Sequence, residues 1–297
     1  MASIQRSNPL RTFFSALVLF VAVAAGYYFL TKPRANVKSM VEAQDAVSQL
    51  DLVTWNLFNF GRSKDDTEIA FIASKVLDFD VVAVQEVSTG PAGAQAVGRL
   101  ADALGRTGAK WDYRVSDPTT GPGSERYAYL WKPSRLRLFG RPWLAPSLAK
   151  AVDREPFLAR FRVSRGNGHV LLANFHAVPT SRKPAVEIRL LSRLQQRYPD
   201  DNLLIMGDFN LSQKNTAFDM LKVEGFVPAI TDQRTSLKMR IKDGRHLANE
   251  YDNIFYEAGP LRARRAGVID FTSTFPSLRD ARHISDHLPV FLDFTWN

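Results

Sequence analysis

Short runs of β-branched and aliphatic residues alternate with helix-periodic stretches along this chain. That alternation limits the fold more than any other feature. Val81-Val82-Ala83-Val84 and Leu203-Leu204-Ile205-Met206 are apolar at every position. Runs of that length suit strands covered on both faces, which requires layers above and below a sheet. Residues 52–56, 127–131, 157–163, 170–175, 253–256 and 289–294 read as further strands. Helical periodicity runs over residues 65–77, with Ile69, Ile72, Ala73 and Val76 on one stripe and Asp65 or Asp66 as cap. A helix is expected within 92–104, and others over 185–197, with Ile188, Leu191 and Leu194 on one stripe, and 216–223. The pattern predicts an α/β domain with mixed sheets and outer helices. By itself it does not separate a doubly wound sheet from a two-sheet sandwich.

Ahead of this pattern stands an uncharged run from Phe13 to Leu30, flanked by Arg6 and Arg11 on one side and Lys32 and Arg34 on the other. As a helix it would span about 27 Å, close to the ~30 Å of a bilayer's hydrocarbon core. It reads as an uncleaved signal anchor or as a signal peptide, with Ala22-Val23-Ala24 as a small-residue cleavage site. Continuation of the run through Tyr27-Tyr28-Phe29-Leu30 favours the anchor. Contact with a membrane through residues 13–30 and an exported, periplasmic or extracellular location follow as expectations. Flanking charge is balanced and leaves the orientation open. Residues 31–50 are expected as a linker with a short helix over 40–50, and the catalytic domain as 51–297.

The formal charge is +9, from 39 basic and 30 acidic side chains. Five of the basic residues, Arg6, Arg11, Lys32, Arg34 and Lys38, precede any acid, so the remainder carries only +4. Net charge therefore supports nucleic-acid binding weakly. Cysteine is absent, which excludes disulfides and thiolate metal sites.

The polar residues at the strand ends are more telling. The strand at 52–56 ends in Asn56, Val81–Val84 runs into Gln85-Glu86, and the strand at 170–175 carries Asn174 and leads to His176. Leu203–Met206 leads to Gly207-Asp208-Phe209-Asn210, and later come Tyr251-Asp252-Asn253 and Ser285-Asp286-His287. A lone glutamate after a strand is usually a solvated loop residue, and a lone histidine is more often structural. Six such endings in one chain point instead to a site built on loops beyond strand ends. Hard oxygen ligands without thiolate favour Mg²⁺, with Mn²⁺ and Ca²⁺ as alternatives, over zinc. Phosphate-ester hydrolysis needs a cation, a base for water and an acid for the leaving oxygen, and these residue types supply all three. No Gly-x-Ser-x-Gly elbow and no Walker-type glycine loop occurs.

In order, these motifs resemble the endonuclease/exonuclease/phosphatase superfamily, and within it deoxyribonuclease I most. The resemblance runs from Asp51 to Phe294 and includes Val84-Gln85-Glu86-Val87, Glu125-Arg126-Tyr127, Arg154-Glu155-Pro156, Met206-Gly207-Asp208-Phe209-Asn210 and Ser285-Asp286-His287-Leu288-Pro289. It implies a four-layered α/β sandwich of two mixed β-sheets flanked by helices. It implies that Glu86 binds the metal with Asn56 beside it and Asp286 in support. Asp208 and Asn210 would hold the attacking water and the phosphate. His176 would pair with Glu125 and His287 with Asp252, as acid and base. Arg154 and Asn174 would bind the substrate phosphate. Ser88 stands where the deoxyribonuclease pattern has an arginine, and the loop of residues 119–124 lacks that pattern's tyrosine.

Arg234, Lys238, Arg240, Lys242 and Arg245 form a basic loop that would contact nucleic acid, or simply a solvated surface. Arg262, Arg264 and Arg265 read as an exposed strand or turn face. The function expected first is a sequence-nonspecific, metal-dependent endonuclease acting on DNA, with a monomeric catalytic domain. A lipid-directed phosphodiesterase of the sphingomyelinase kind and a non-catalytic binding protein on the same fold are the alternatives.

Overall fold

In the computed structural model the described residues are 49–297; the run 13–30 and the expected linker up to residue 48 lie outside them. Among the described residues no helix is long and apolar enough to cross a membrane. The chain opens with β1 (Gln49–Phe60), α1 (Asp66–Val76), β2 (Val81–Val87), α2 (Pro91–Gly105), β3 (Asp112–Val115) and β4 (Arg126–Trp131). A second stretch holds β5 (Leu136–Leu144), β6 (Phe157–Val163), β7 (His169–His176), α3 (Ala185–Ile188), α4 (Ser192–Arg197) and β8 (Leu203–Asp208). It continues with α5 (Asp219–Val223), β9 (Phe226–Pro228), β10 (Leu237–Lys242), β11 (Arg245–Leu247) and β12 (Asp252–Glu257). The last elements are β13 (Leu261–Val268), α6 (Leu278–Ile284) and β14 (Val290–Trp296).

Two six-stranded sheets form, ordered β13-β14-β1-β2-β4-β3 and β5-β6-β7-β8-β12-β9. Each contains one parallel pair, β1/β2 and β7/β8, among antiparallel neighbours. Side-chain alternation assembles three apolar layers. Val53, Trp55, Val82 and Val84 face Ile72, Val97 and Leu100 of the helices. Leu52 and Ala83, on the opposite faces of the same strands, meet Phe161, Leu172, Met206 and Ile254 of the second sheet. Leu171, Ala173, Ile205 and Phe255 point outward onto Ile188, Leu194 and Leu221. Helix, sheet, sheet, helix is the four-layered sandwich, and the doubly wound alternative is excluded because the two sheets share a core.

The structure departs from the sequence pattern in two places. Gln49 and Leu50 pair with Thr295 and Phe294 in β1, so the sheet begins before residue 51 and the expected helix over 40–50 does not include them. Leu50, Leu52 and Thr54 continue one inward face, which a helix would scatter. The helix expected over 185–197 is divided. Leu190 N–H bonds to Glu187 O and Leu191 N–H to Ile188 O, a tightened turn between α3 and α4. Ile188, Leu191 and Leu194 recur every third residue, a spacing that such a turn keeps on one buried side. The expected cap at Asp65 is present as a reciprocal box. Asp65 Oδ1 accepts from Glu68 N at 2.8 Å and Glu68 Oε2 from Asp65 N at 2.9 Å.

Candidate active site

Sheet topology gathers the strand ends. β1 and β2, and β7 and β8, finish at the edge where the antiparallel β4, β12 and β14 begin. Asn56, Glu86, His176 and Asp208 therefore meet Glu125, Asp252 and His287, which stand at or just before those starts. In the second sheet His176, Asp208 and Asp252 are in register on three adjacent strands. Asn56 reaches across from the first sheet, its Nδ2 donating to Glu86 Oε1 at 3.0 Å and Asp208 Oδ2 at 3.2 Å.

Two imidazole–carboxylate pairs converge on one oxygen. His287 Nδ1 lies 2.8 Å from Asp252 Oδ2, and His176 Nδ1 lies 3.0 Å from Glu125 Oε2. Each ring turns its other nitrogen toward Asp208 Oδ2, at 3.5 Å for His287 and 3.4 Å for His176. All of these groups are buried. Burial alone would push His287 down, but Asp252 and Asp208 outweigh it and hold its imidazole well above the ordinary value. His176 is likewise penalised by burial and raised overall by Glu125. Burial raises Asp252, and Asp208 adds to it, up to about 6 against the pull of His287. Asp208 is held below its ordinary value because the two histidines outweigh burial. Its ionised form is thus favoured, and one oxygen of it faces the Nε2 of each ring.

Glu86 and Asn210 are held at φ 59° and 49°, and Phe58 and Asn59 at 44° and 53°. Four of the seven non-glycine residues with positive φ among the described residues therefore border this site. Such conformations persist where surrounding structure enforces them, commonly at functional sites. Glu86 is half-buried, and its second oxygen accepts from Asn59 N at 2.8 Å. The Asp286 carboxylate accepts from Arg282 Nη2 at 3.2 Å. Among the described residues, the ligand atoms of Asp208, Asp252 and His287 lie within 4.8 Å of one another, close enough to hold an ion. Asp252 Oδ1 is buried without a hydrogen-bond partner. Around the site the donors are carboxylate, amide and imidazole, which suits a hard divalent cation.

Two residues expected to bind phosphate do other work. Asn174 is fully buried between the sheets. Its Nδ2 donates to Val84 O and Ala128 O, and its Oδ1 accepts from Gln85 Nε2. Arg154 donates through Nε to His176 O and through Nη2 to Ala177 O, with Nη1 3.5 Å from Glu125 Oε2. The guanidinium is buried and ties Glu125 to the end of β7. Asn210 donates to Ala177 O at 3.1 Å and lies 3.4 Å from Asp208 Oδ2.

The expected basic loop is a hairpin, β10–β11, turning at Asp243-Gly244. Its cations divide between two sides. Arg240 faces a cleft with Phe58 and Lys64, while Arg234 and Arg245 line another that also holds Asp232, Glu250 and Asp270. Arg262, Arg264 and Arg265 are exposed on edge strand β13, the solvated face expected.

The motifs did not reveal several supporting residues. Thr235 Oγ1 donates to Asp252 Oδ2 at 2.6 Å and accepts from the Tyr251 and Asp252 amides. Tyr127 hydroxyl accepts from His176 N, and Ser285 Oγ donates to Asn56 O. Buried Lys64 donates to His283 O and lies in the field of Glu68, Asp286 and Glu86, while burial lowers its pKa. Threonine, serine and lysine in loops carry no sequence signal for such tasks.

Residues 53–287 match the Endonuclease/Exonuclease/phosphatase family. The chain belongs to that family. Its members are hydrolases of phosphoric ester bonds, and this chain is one of them. A deoxyribonuclease of Thioalkalivibrio sp. (strain K90mix) is 30% identical over 274 residues, covering 85% of this chain and 73% of the relative. Among solved structures of the same fold is a family protein from Bacteroides thetaiotaomicron (TM-score 0.64, 17% identity, 84% of this chain and 98% of that one). The human Nocturnin catalytic domain with bound sulfate has TM-score 0.61 and 17% identity, over 84% and 94% of the chains. D. rerio TDP2 in complex with a single-strand DNA product has TM-score 0.59 and 16% identity, over 84% and 99%.

Proposed function

We propose that this phosphoesterase is a divalent-metal-dependent, sequence-nonspecific endonuclease that hydrolyses DNA phosphodiester bonds. The observation that carries the reading is the convergence of two buried imidazole–carboxylate pairs on the ionised Asp208. In-line hydrolysis of a phosphodiester needs one group to take the proton of water and another to protonate the leaving oxygen. One histidine does each. Asp252 and Glu125 hold the Nδ1 protons and leave the two Nε2 atoms facing the reaction space. Asp208 orients the attacking water, and Asn56 and Asn210 fix Asp208.

The carboxylates of Glu86, Asp208 and Asp252 gather where a phosphodiester anion would bind, while the nearby Arg154 is buried in other bonds. A bound cation is needed to offset that repulsion. Glu86 would hold Mg²⁺ with Asn56 orienting its carboxylate, and Asp208 and the free oxygen of Asp252 are further donors. When bound, the ion would neutralise charge on the scissile phosphate. The deoxyribonuclease relative supports DNA as substrate. The apolar run of residues 13–30 would tether or export the enzyme, keeping it from the host genome. Recovery of the chain in the soluble cytoplasmic fraction would count against that location.

Supercoiled-plasmid nicking and oligonucleotide cleavage, with Mg²⁺ and with EDTA, test the activity. Cleavage is expected with Mg²⁺ only, and His176→Ala and His287→Ala are each expected to lower it by at least about 100-fold. A chain that hydrolyses a phospholipid and no nucleic acid would show the nuclease reading to be wrong.

A further inference from the structure

β1 and β2 lose step at the active site. Their register runs from Asn56↔Gln85 to Phe60↔Val87, so Leu57, Phe58 and Asn59 stand opposite Glu86 alone. The surplus bulges outward. Leu57 and Phe60 remain buried, while Phe58 is 39% exposed at the positive φ already noted. The Lys64 ammonium lies 5.9 Å from the ring centroid, and the exposed remainder of the ring is displayed one residue from an anchor of Glu86.

The ring borders a cleft of about 570 Å³. Met239 and Arg240 of β10 form one wall, Arg279 and Arg282 of α6 another, and Lys64 the floor; no carboxylate lines it. Arg282 is occupied with Leu237 O and Asp286, and Lys64 with His283 O. The side chains of Arg240 and Arg279 are exposed and make no hydrogen bond or ion pair among the described residues. The cleft joins the catalytic site directly. Asn59 N donates to Glu86 Oε2, Arg282 pairs with Asp286, and Leu237 N donates to Asp286 O.

We propose that this cleft is a nucleotide subsite beside the scissile phosphate, where Phe58 stacks an unpaired base and Arg240 and Arg279 hold backbone phosphates of a single DNA strand. The inference rests on the nuclease reading and adds the strand form. An exposed aromatic face beside Met239 suits the π-face of a base, and two unpaired guanidiniums suit a polyanion. Within a duplex both faces of a base are covered by its neighbours, so the ring can stack only on a base that has left the helix. Single strands, gaps and frayed ends present such bases.

The test uses the full chain with Mg²⁺ on a labelled single-stranded oligonucleotide, the same strand in a duplex, and a strand carrying tetrahydrofuran abasic units around the cleavage position. The wild type is expected to favour the single strand. Phe58→Ala should raise KM for it about ten-fold, within the range of one lost base stack, and Phe58→Trp should restore it. On the abasic strand the gap between wild type and Phe58→Ala should close. Replacing both Arg240 and Arg279 by Ala should flatten the log–log salt dependence of single-strand binding by about 1.4, two contacts at ~0.7 each. Thermal melting checks that the variants are folded. Equal rates for Phe58→Ala and wild type, an equal loss on the abasic strand, or a wild-type preference for duplex would each overturn the subsite. If the wild type cuts no nucleic acid, the nuclease reading itself falls.

Discussion

Burial alone would lower the pKa of His287, but the flanking carboxylates of Asp252 and Asp208 raise it overall. The shift has a consequence for stability. A histidine raised in the folded state contributes stability that is fully present below its unfolded value, and loses it as pH rises through the folded value. Asp208, lowered in the folded state, contributes above its ordinary value and loses that as pH falls through the folded one. The melting temperature of the wild type should therefore exceed that of His287→Asn most at pH about 6, with the gap narrowing as pH climbs. A gap that stays constant or widens with pH would contradict the Asp252–His287–Asp208 arrangement. Both histidines were legible in the sequence from their neighbours, Asn174 and Asp286. Their partners were not legible from spacing, since Glu125 lies 51 positions from His176 and Asp252 lies 35 from His287. Only the family resemblance paired them. Arg154 and Asn174, whose polar atoms look available in the sequence, are hydrogen-bonded within the protein in the structure.

At the scale of elements, the parallel pair β7/β8 sets the spacing of His176 and Asp208. Gly207 sits at φ 138°, and a Cβ there would lie 1.9 Å from Phe175 O. The glycine lets β8 approach β7 immediately before Asp208. Gly207→Ala should force the pair apart and cost at least about 2 kcal/mol, seen as a drop in melting temperature of roughly 4–8 °C. Cleavage should fall with it, because the His176–Asp208 row moves. An unchanged melting curve would show that the close approach can be relieved cheaply. Strands apolar on both faces were readable because burial on two sides leaves an uninterrupted run. Edge elements were not. Of Leu237–Lys242, only Leu237 is buried, and its alternating Met239, Arg240, Ile241 and Lys242 read as a charged loop. Such edges carry basic side chains in many sheets, and pairing with β11 is what makes this segment a strand.

Over the whole molecule, the two sheets present their carboxylates to one opening. Glu86 comes from the first sheet, Asp208 and Asp252 from the second, and Asn56 bridges Glu86 and Asp208. A cation bound there would favour the folded state over the unfolded chain, where these groups are far apart. At a hundred times its Kd, Mg²⁺ should add about 2.7 kcal/mol of stability, and EDTA should reverse the rise in melting temperature. The increment should shrink in Glu86→Gln. A Mg²⁺ shift of the same size in that variant would move the ion away from Glu86. Global charge predicts little of this. The excess beyond residue 38 is only +4, and the cations that matter are set by where individual guanidiniums end up.

The amino-acid sequence by itself determined the α/β class, the doubly covered strands, the capped helix at Asp65 and the polar strand ends, because these depend on local periodicity and near neighbours. Its motifs carried the family. Tertiary structure alone decided that two sheets share a core and that two distant carboxylates seat the two histidines. It also bonded Arg154 and Asn174 to neighbouring backbone carbonyls and turned Phe58 toward a basic cleft. Those outcomes depend on which strand ends meet across the sandwich, and packing in three dimensions sets that, with no counterpart in sequence spacing.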